Sequence, residues 1–202
     1  MSTTFPVDYI PSPDPFVEFE LWLKKATDSG EEEPTAMSLA TVTRENRPRN
    51  RVVLYKGLSQ QGLTFYTNYE SNKALDLETN PFVAATFHWK ALTLQLRIEG
   101  RVQKLSRQES EKYFSTRPRE SQIGAWISSQ SRILKSRKDL DQKKLEFEEK
   151  FEGKDVVCPP FWGGYKIIPD LFEFWMLEPG RLHNRFQYTL SKGVWTQVRL
   201  YP

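Results

Sequence analysis

The sequence predicts a mostly β protein, a β-barrel with flanking α-helices, on three observations. First, β-prone residues fall into short runs at Met37 to Thr43, Arg51 to Lys56 and Leu63 to Thr67, and again near 82–89 and 92–104. These runs are separated by the turn-rich segments Glu45-Asn-Arg-Pro48 and Ser59-Gln-Gln-Gly62, the spacing of a meander that curls around one helix into a barrel. Second, six Trp, eight Tyr and thirteen Phe favour pleated, half-buried surfaces. Third, Ser191-Lys-Gly193 is a hairpin loop joining Phe186 to Leu190 with Val194 to Leu200, so the last strands form a hairpin.

Taken in order, residues 1–13 carry Pro6, Pro11 and Pro13 and are expected to form an extended, flexible arm before a single domain over 14–202. Asp14-Pro15 supplies an N-cap and an N1 proline, and Phe16, Phe19, Leu23 and Ala26 then share one helical face up to Ser29-Gly30. Ser71 caps a helix over about 72–79, closed by Asn80-Pro81. Ser106 and Glu109 have the spacing of a capping box, in which each side chain satisfies the other residue's backbone N–H. Pro118 breaks that helix and starts another with Ser121 in its first turn. Residues 132–152 read as a charged surface helix with Ile133, Leu140, Phe147 and Phe151 as its apolar line, stopped by Gly153.

Composition narrows the function. A net charge of +3 with cations and anions interleaved does not call for nucleic acid. No stretch approaches the ~20 apolar residues that span a bilayer, and no signal peptide is visible, so the expectation is a soluble, cytoplasmic protein. One cysteine, Cys158, and two histidines, His88 and His183, make neither a disulfide nor a zinc site. The sequence holds no glycine-rich dinucleotide fingerprint, P-loop or nucleophile elbow. His88, between Phe87 and Trp89, reads as a core or interface histidine.

Three groups of residues stand out. In Arg181-Leu-His-Asn-Arg185 an extended backbone puts Arg181, His183 and Arg185 on one cationic face, either a ligand site or a solvated strand end. Arg51, Thr67, Lys73 and the amides after Ser71 make a phosphate site, unless these are ordinary surface cations. Lys56, Tyr113, Arg117 and Ser121, the last three spaced by four, make a second anion cradle or an exposed helix corner.

A set of motifs in one order gives these groups a common meaning. Arg51-Val-Val-Leu-Tyr-Lys56, Phe65-Tyr-Thr-Asn68, Gln95-Leu-Arg-Ile-Glu-Gly100, Tyr113-Phe-Ser-Thr-Arg-Pro-Arg119, Ser121-Gln-Ile-Gly-Ala-Trp126, Gln130-Ser131, Phe161-Trp-Gly-Gly164, Glu173-Phe-Trp175 and Arg181-Leu-His-Asn-Arg185 closely resemble the pyridoxamine/pyridoxine 5′-phosphate oxidase family. The resemblance runs from about Asp14 to the C-terminus. It implies a Greek-key-like split barrel, a homodimer with FMN at the interface, and oxidation of pyridoxamine or pyridoxine 5′-phosphate to pyridoxal 5′-phosphate by O2. By the same resemblance Arg51, Val52, Val53, Leu54, Lys56, Tyr66, Thr67, Lys73, Gln95, Gln130, Ser131, Trp175 and Arg185 would contact FMN. Lys56, Tyr113, Arg117 and Ser121 would clamp the substrate phosphate, with Arg181 and His183 as the catalytic pair over the pyridine ring. The chain departs from the family at Asn184, where Asp is usual, at Asn72, where Arg is usual, and in a short arm without the arginines often found there. A phenazine-pathway type of FMN oxidase, or a non-catalytic flavin or vitamer binder, are the competing readings.

Overall fold

The computed structural model describes residues 5, 6 and 8–202. Helix α1 (Pro15–Asp28) opens as the sequence dictates: Asp14 accepts from the Phe16 N–H at 2.8 Å, and Pro15 takes a position where an absent N–H costs nothing. Phe19, Trp22 and Ala26 are fully buried in the barrel core, with Phe16 and Leu23 packed at its margin. Glu18 is also fully buried, and it is satisfied by donors from Tyr9 Oη (2.7 Å), the Ser12 N–H (2.9 Å) and Trp22 Nε1. Phe5 stacks on Trp22 at 5.2 Å, and Tyr188 Oη donates to the Ser12 carbonyl at 2.6 Å. Of the arm expected to be flexible, residues 1–4 and 7 lie outside the described residues, while Phe5, Tyr9 and Ser12 contact α1 or the C-terminal hairpin.

The sheet contains β1 (Ala36–Val42), β2 (Pro48–Leu54), β3 (Leu58–Ser59), β4 (Gly62–Asn68), β5 (Phe82–Trp89), β6 (Leu94–Lys104), β7 (Trp162–Met176), β8 (Asn184–Ser191) and β9 (Val194–Leu200). All described pairings are antiparallel, in the order β2-β1-β5-β6-β7-β4-β3, with β8 on β7 and β9 on β8. The barrel closes where the chain leaving β2 meets β4: the Lys56 N–H donates to the Thr64 carbonyl and the Thr64 N–H to the Gly57 carbonyl, both at 2.9 Å. Strand alternation sets the faces. On β6, Leu94, Leu96 and Ile98 enter the core while Gln95, Arg97 and Glu99 face outward.

Strand β7 is the pivot of the split. Its first part, Trp162 to Ile167, pairs with β4, and its last part, Leu171 to Met176, pairs with β8. Between them the register against β6 shifts at Glu99/Gly100, and a Cβ on Gly100 would lie 2.2 Å from the Ile168 carbonyl oxygen. Only glycine permits that approach, so the bend that lets one strand serve both barrel and hairpin is written at Gly100.

Helices α2 (Asn72–Thr79), α3 (Arg107–Ser115), α4 (Arg119–Ile127) and α5 (Arg137–Lys150) flank the barrel. Phe114, Ile123, Ile127, Phe151, Val156 and Trp162 form a second, smaller core beneath α3 to α5. Several sequence expectations are corrected here. The charged helix begins after Ser136, which caps it, so Ile133 precedes the helix and is 97% exposed; Leu140, Phe147 and Phe151 do pack. The strand expected from 92 starts at Leu94, after a 3-10 turn over Lys90–Leu92 with Thr93 left-handed at φ 56°. His88 is not a core residue: it sits exposed on the outward face of β5, opposite Gln95.

Candidate active site

A cleft of about 500 Å³ opens between β2, β4, the start of α2 and the α3–α4 corner. Arg51, Val52, Val53, Leu54, Lys56, Tyr66, Thr67, Lys73, Tyr113, Arg117, Ser121 and Gln130 all line it, so the two anion sets read from the sequence share one cavity. Asn68, Gly124, Ala125, Ser128 and Trp162 complete the wall; none had been singled out as a ligand contact, since only the fold brings them there.

Arg51 and Lys73 are each held by a specific device. Arg51 donates to Thr41 Oγ1 at 2.7 Å and to the Leu39 carbonyl at 3.1 Å. Thr41 in turn donates to Asp76 at 2.8 Å, and the buried Asp76 carboxylate also receives Arg49 at 3.1 Å. Asp76 is thus a counter-ion for Arg51, supplied by α2 across 25 residues of sequence, which no local pattern announces. Burial, opposed in part by Asp76, lowers the Arg51 pKa. Lys73 donates to Gln130 Oε1 (2.9 Å), Thr67 Oγ1 (3.0 Å) and Ser71 Oγ (3.3 Å). Burial, reinforced by the nearby Arg51 charge, brings its pKa down from 10.5 to about 8. Two of the first α2 amides are taken by hydroxyls, Asn72 N–H by Ser131 Oγ at 3.3 Å and Ala74 N–H by Ser71 Oγ at 3.4 Å. Ser131 therefore sits at the helix start, exposed and with φ 68°, rather than in the cleft lining.

The opposite wall is aromatic. Tyr66 and Tyr113 stack at 3.8 Å and 13°, and Trp162 continues the stack 5.4 Å from Tyr66. Burial is the main cause that pushes the Tyr66 pKa up, to about 12, and that of Tyr113 upward, so both hydroxyls keep their protons at neutral pH. Arg117 lies 4.7 Å above the Trp162 ring, its pKa lowered by burial, and its buried Nη1 has no hydrogen-bond acceptor. A buried guanidinium with an unused donor, in a cleft that already holds Lys73 and Arg51, fits an incoming phosphate.

The remaining predicted residues lie elsewhere. Gln95, Trp175 and Arg185 are register neighbours across β6, β7 and β8, and none of them lines the cleft. The expectation that Arg181, His183 and Arg185 share a strand face is not met. Pro179–Arg181 is a 3-10 turn in which Gly180 and Arg181 have φ 67° and 62°, and β8 begins only at Asn184. The turn leaves Arg181 exposed and tips His183 onto Trp175, with ring centroids 4.5 Å apart. The Glu178 N–H donates to His183 Nδ1 at 3.2 Å, which in a neutral imidazole leaves the ring proton on Nε2. Asn184 donates to Glu178 Oε1 at 3.2 Å and accepts from Arg199 at 2.9 Å. Among the described residues no His, Cys, Asp and Glu group could hold a metal, and no helix is long and apolar enough to cross a membrane.

Fold and cleft together define a split-barrel protein with a cationic, aromatic-walled cleft. Residues 23–149 match the family model described as pyridoxamine 5′-phosphate oxidase, and residues 162–202 match the pyridoxine 5′-phosphate oxidase C-terminal dimerisation region. The chain belongs to the pyridoxamine 5′-phosphate oxidase family. A pyridoxine/pyridoxamine 5′-phosphate oxidase of Psychromonas ingrahamii is 50% identical over 189 residues, covering 94% of this chain and 87% of the relative. One from Rippkaea orientalis is 50% identical over 190 residues, covering 94% and 90%. Among solved structures, PhzG from Burkholderia lata 383, in complex with tetrahydrophenazine-1-carboxylic acid, superposes with a TM-score of 0.91 at 27% identity over 97% of this chain and 99% of that one. A pyridoxamine 5′-phosphate oxidase-related, FMN binding protein from Nostoc punctiforme shares the fold at a TM-score of 0.75 and 16% identity, over 95% and 100% of the two chains.

Proposed function

We propose that this protein is an FMN-dependent oxidase that converts pyridoxamine 5′-phosphate, pyridoxine 5′-phosphate or both to pyridoxal 5′-phosphate, with O2 as acceptor and H2O2 as product. The observation that carries the reading is the buried, acceptorless Nη1 of Arg117, in a cleft with Lys56, Tyr113 and Ser121. It supports recognition of a phosphorylated substrate, and the roughly 50% identical relatives named for this reaction supply the reaction class.

In this reading Arg51, Thr67, Lys73 and Gln130 hold the FMN phosphate end, Val52 to Leu54 and Tyr66 border the ring system, and Ser131 supports the site from the start of α2. Gln95, Trp175 and Arg185 belong to the same site but lie outside one chain's cleft, so they come from a second copy. The family's dimerisation region at residues 162–202, which contains Trp175 and Arg185, supports that arrangement. FMN, when bound, supplies the hydride acceptor and passes the electrons to O2. The protein's own part is positioning. Lys56, Tyr113, Arg117 and Ser121 fix the substrate phosphate, the planar guanidinium of Arg181 presses the pyridine ring into place, and His183 orients the reacting substituent from Nε2.

The test uses purified protein. A yellow flavin spectrum, bleached anaerobically by pyridoxamine 5′-phosphate and restored by air with release of the aldehyde, is expected. A flavin that no B6 phosphate bleaches would overturn the reading.

A further inference from the structure

Glu173 does not line the cleft, yet it is the most buried charged group on the outer face of the sheet, at 3% exposure. Strand alternation puts Gln95, Arg97 and Glu99 of β6, Glu173 and Trp175 of β7, and Arg185 and Gln187 of β8 on that same face. Glu173 is directly opposite Arg97 on one side and Gln187 on the other, one pair along from Arg185. Its two oxygens are divided between the arginines: Oε2 accepts Arg97 Nη1 at 2.9 Å, and Oε1 accepts Arg185 Nε at 3.0 Å and Nη2 at 2.8 Å. Glu99 takes a second donor of Arg97 at 2.8 Å, so two cations meet two carboxylates and the cluster is neutral.

The donors of Arg185 can be followed one by one. A guanidinium has five N–H groups in a fixed plane. Nε and one Nη2 N–H go to Glu173, and one Nη1 N–H goes to the Tyr201 carbonyl at 2.9 Å. One N–H on each terminal nitrogen remains for a further acceptor. We propose that Glu173 is a positioning residue for FMN: by gripping Nε and Nη2 of Arg185 it fixes the plane of the guanidinium and holds the two remaining donors in a set orientation for the cofactor. The inference rests on the reading that Arg185 contacts FMN. Without the carboxylate, Arg185 regains rotamer freedom and stands beside Arg97 with no counter-ion between them.

The experiment measures FMN affinity of the apoprotein by quenching of flavin fluorescence, for wild type, Glu173→Gln, Glu173→Asp, Arg185→Lys and the double variant Glu173→Gln/Arg185→Lys. Glu173→Gln is expected to weaken FMN binding at least about tenfold, because a charge-assisted grip on the arginine is lost. Glu173→Asp keeps the charge but is a methylene too short to reach both arginines, and should fall between Glu173→Gln and wild type. Arg185→Lys should weaken binding too, and the double variant should be no weaker than the worse single variant, since both changes remove one arrangement. A purely structural role predicts otherwise: lower melting temperatures, unchanged FMN affinity of the folded fraction, and independent effects that multiply. Either unchanged affinity in Glu173→Gln or multiplicative losses would overturn the proposal. If Glu173→Gln yields no folded protein, Glu173→Asp decides, and wild-type affinity there would overturn it. Failure of wild type itself to bind FMN would instead remove the functional reading on which this one rests.

Discussion

At the residue scale the cleft is a set of cations kept charged at a cost, and the cost can be read out. Arg117 has a buried donor with no acceptor, so a phosphate there gains a charge-assisted bond that water inside the cleft supplies poorly. Arg117→Ala should therefore weaken binding of a B6 phosphate roughly 10- to 100-fold while leaving FMN affinity within about threefold. Titrating both ligands checks this, and equal losses would mean that the division of the cleft is wrong. Lys73 makes a pH prediction. Its pKa falls from 10.5 to about 8 in the fold, so the unfavourable burial of its charge is felt in full below pH 8 and is relieved as pH rises from 8 toward 10.5. In that window this group's contribution to apoprotein stability becomes more favourable with pH. FMN binding runs the other way. A phosphate favours the charged lysine, so above about pH 8 binding takes up a proton, and affinity should drop by up to about tenfold per pH unit. Apparent FMN affinity measured from about pH 7 to 9.5 should show this fall, and Lys73→Met should flatten it.

At the scale of elements, what was legible in the sequence was local. The Ser106 and Glu109 reciprocal cap forms as read, with the Ser106 N–H donating to Glu109 at 2.9 Å and Glu109 N–H to Ser106 Oγ at 3.2 Å. Because α3 carries Tyr113 into the cleft, its first turn matters beyond itself. Ser106→Ala should cost about 1 kcal/mol and lower the melting temperature by roughly 2–4 °C. Calorimetry checks this, and no shift would mean that α3 is held by packing of Phe114 alone. Asp14-Pro15, Ser71 and the Lys192-Gly193 hairpin turn were readable for the same reason, since each motif holds all its partners within a few residues. Two kinds of feature were not. Asp76 and Glu173 acquire their roles only through pairings with Arg51 and Arg185 made by the sheet and by α2. Two-residue alternation reads Arg181 to Arg185 as extended, but the preceding Pro179-Gly180 turn, with Gly180 at φ 67° and Arg181 at φ 62°, leaves only Asn184 and Arg185 of that segment in the strand. The Pro-Gly pair was the available signal.

At the scale of the whole molecule, the barrel separates the site into two halves. Arg51, Lys73, Arg117 and their neighbours line the cleft, while Gln95, Trp175, Arg181, His183 and Arg185 gather at the ends of β6, β7 and β8, outside its lining. The first set sits on β2, β4, the start of α2 and the α3–α4 corner, and the second at the far ends of β6, β7 and β8, so the two lie on different parts of one chain. In the proposed reading, a twofold assembly through the dimerisation region at 162–202 would place each chain's strand ends over the other chain's cleft, twice per dimer. Such sharing has a consequence that no single-chain site has. Arg117→Ala disables a cleft and Arg181→Ala disables a strand end, and either homodimer should turn over slowly. In a mixed dimer both defects fall on one of the two sites, leaving the other built from an intact cleft and an intact strand end. Co-expressed with two different tags and purified through both, the mixed dimer should recover about half the wild-type rate. Activity no higher than that of the two parent variants would place all the residues of a site in one chain, and the two halves would then have to meet by a rearrangement of the barrel.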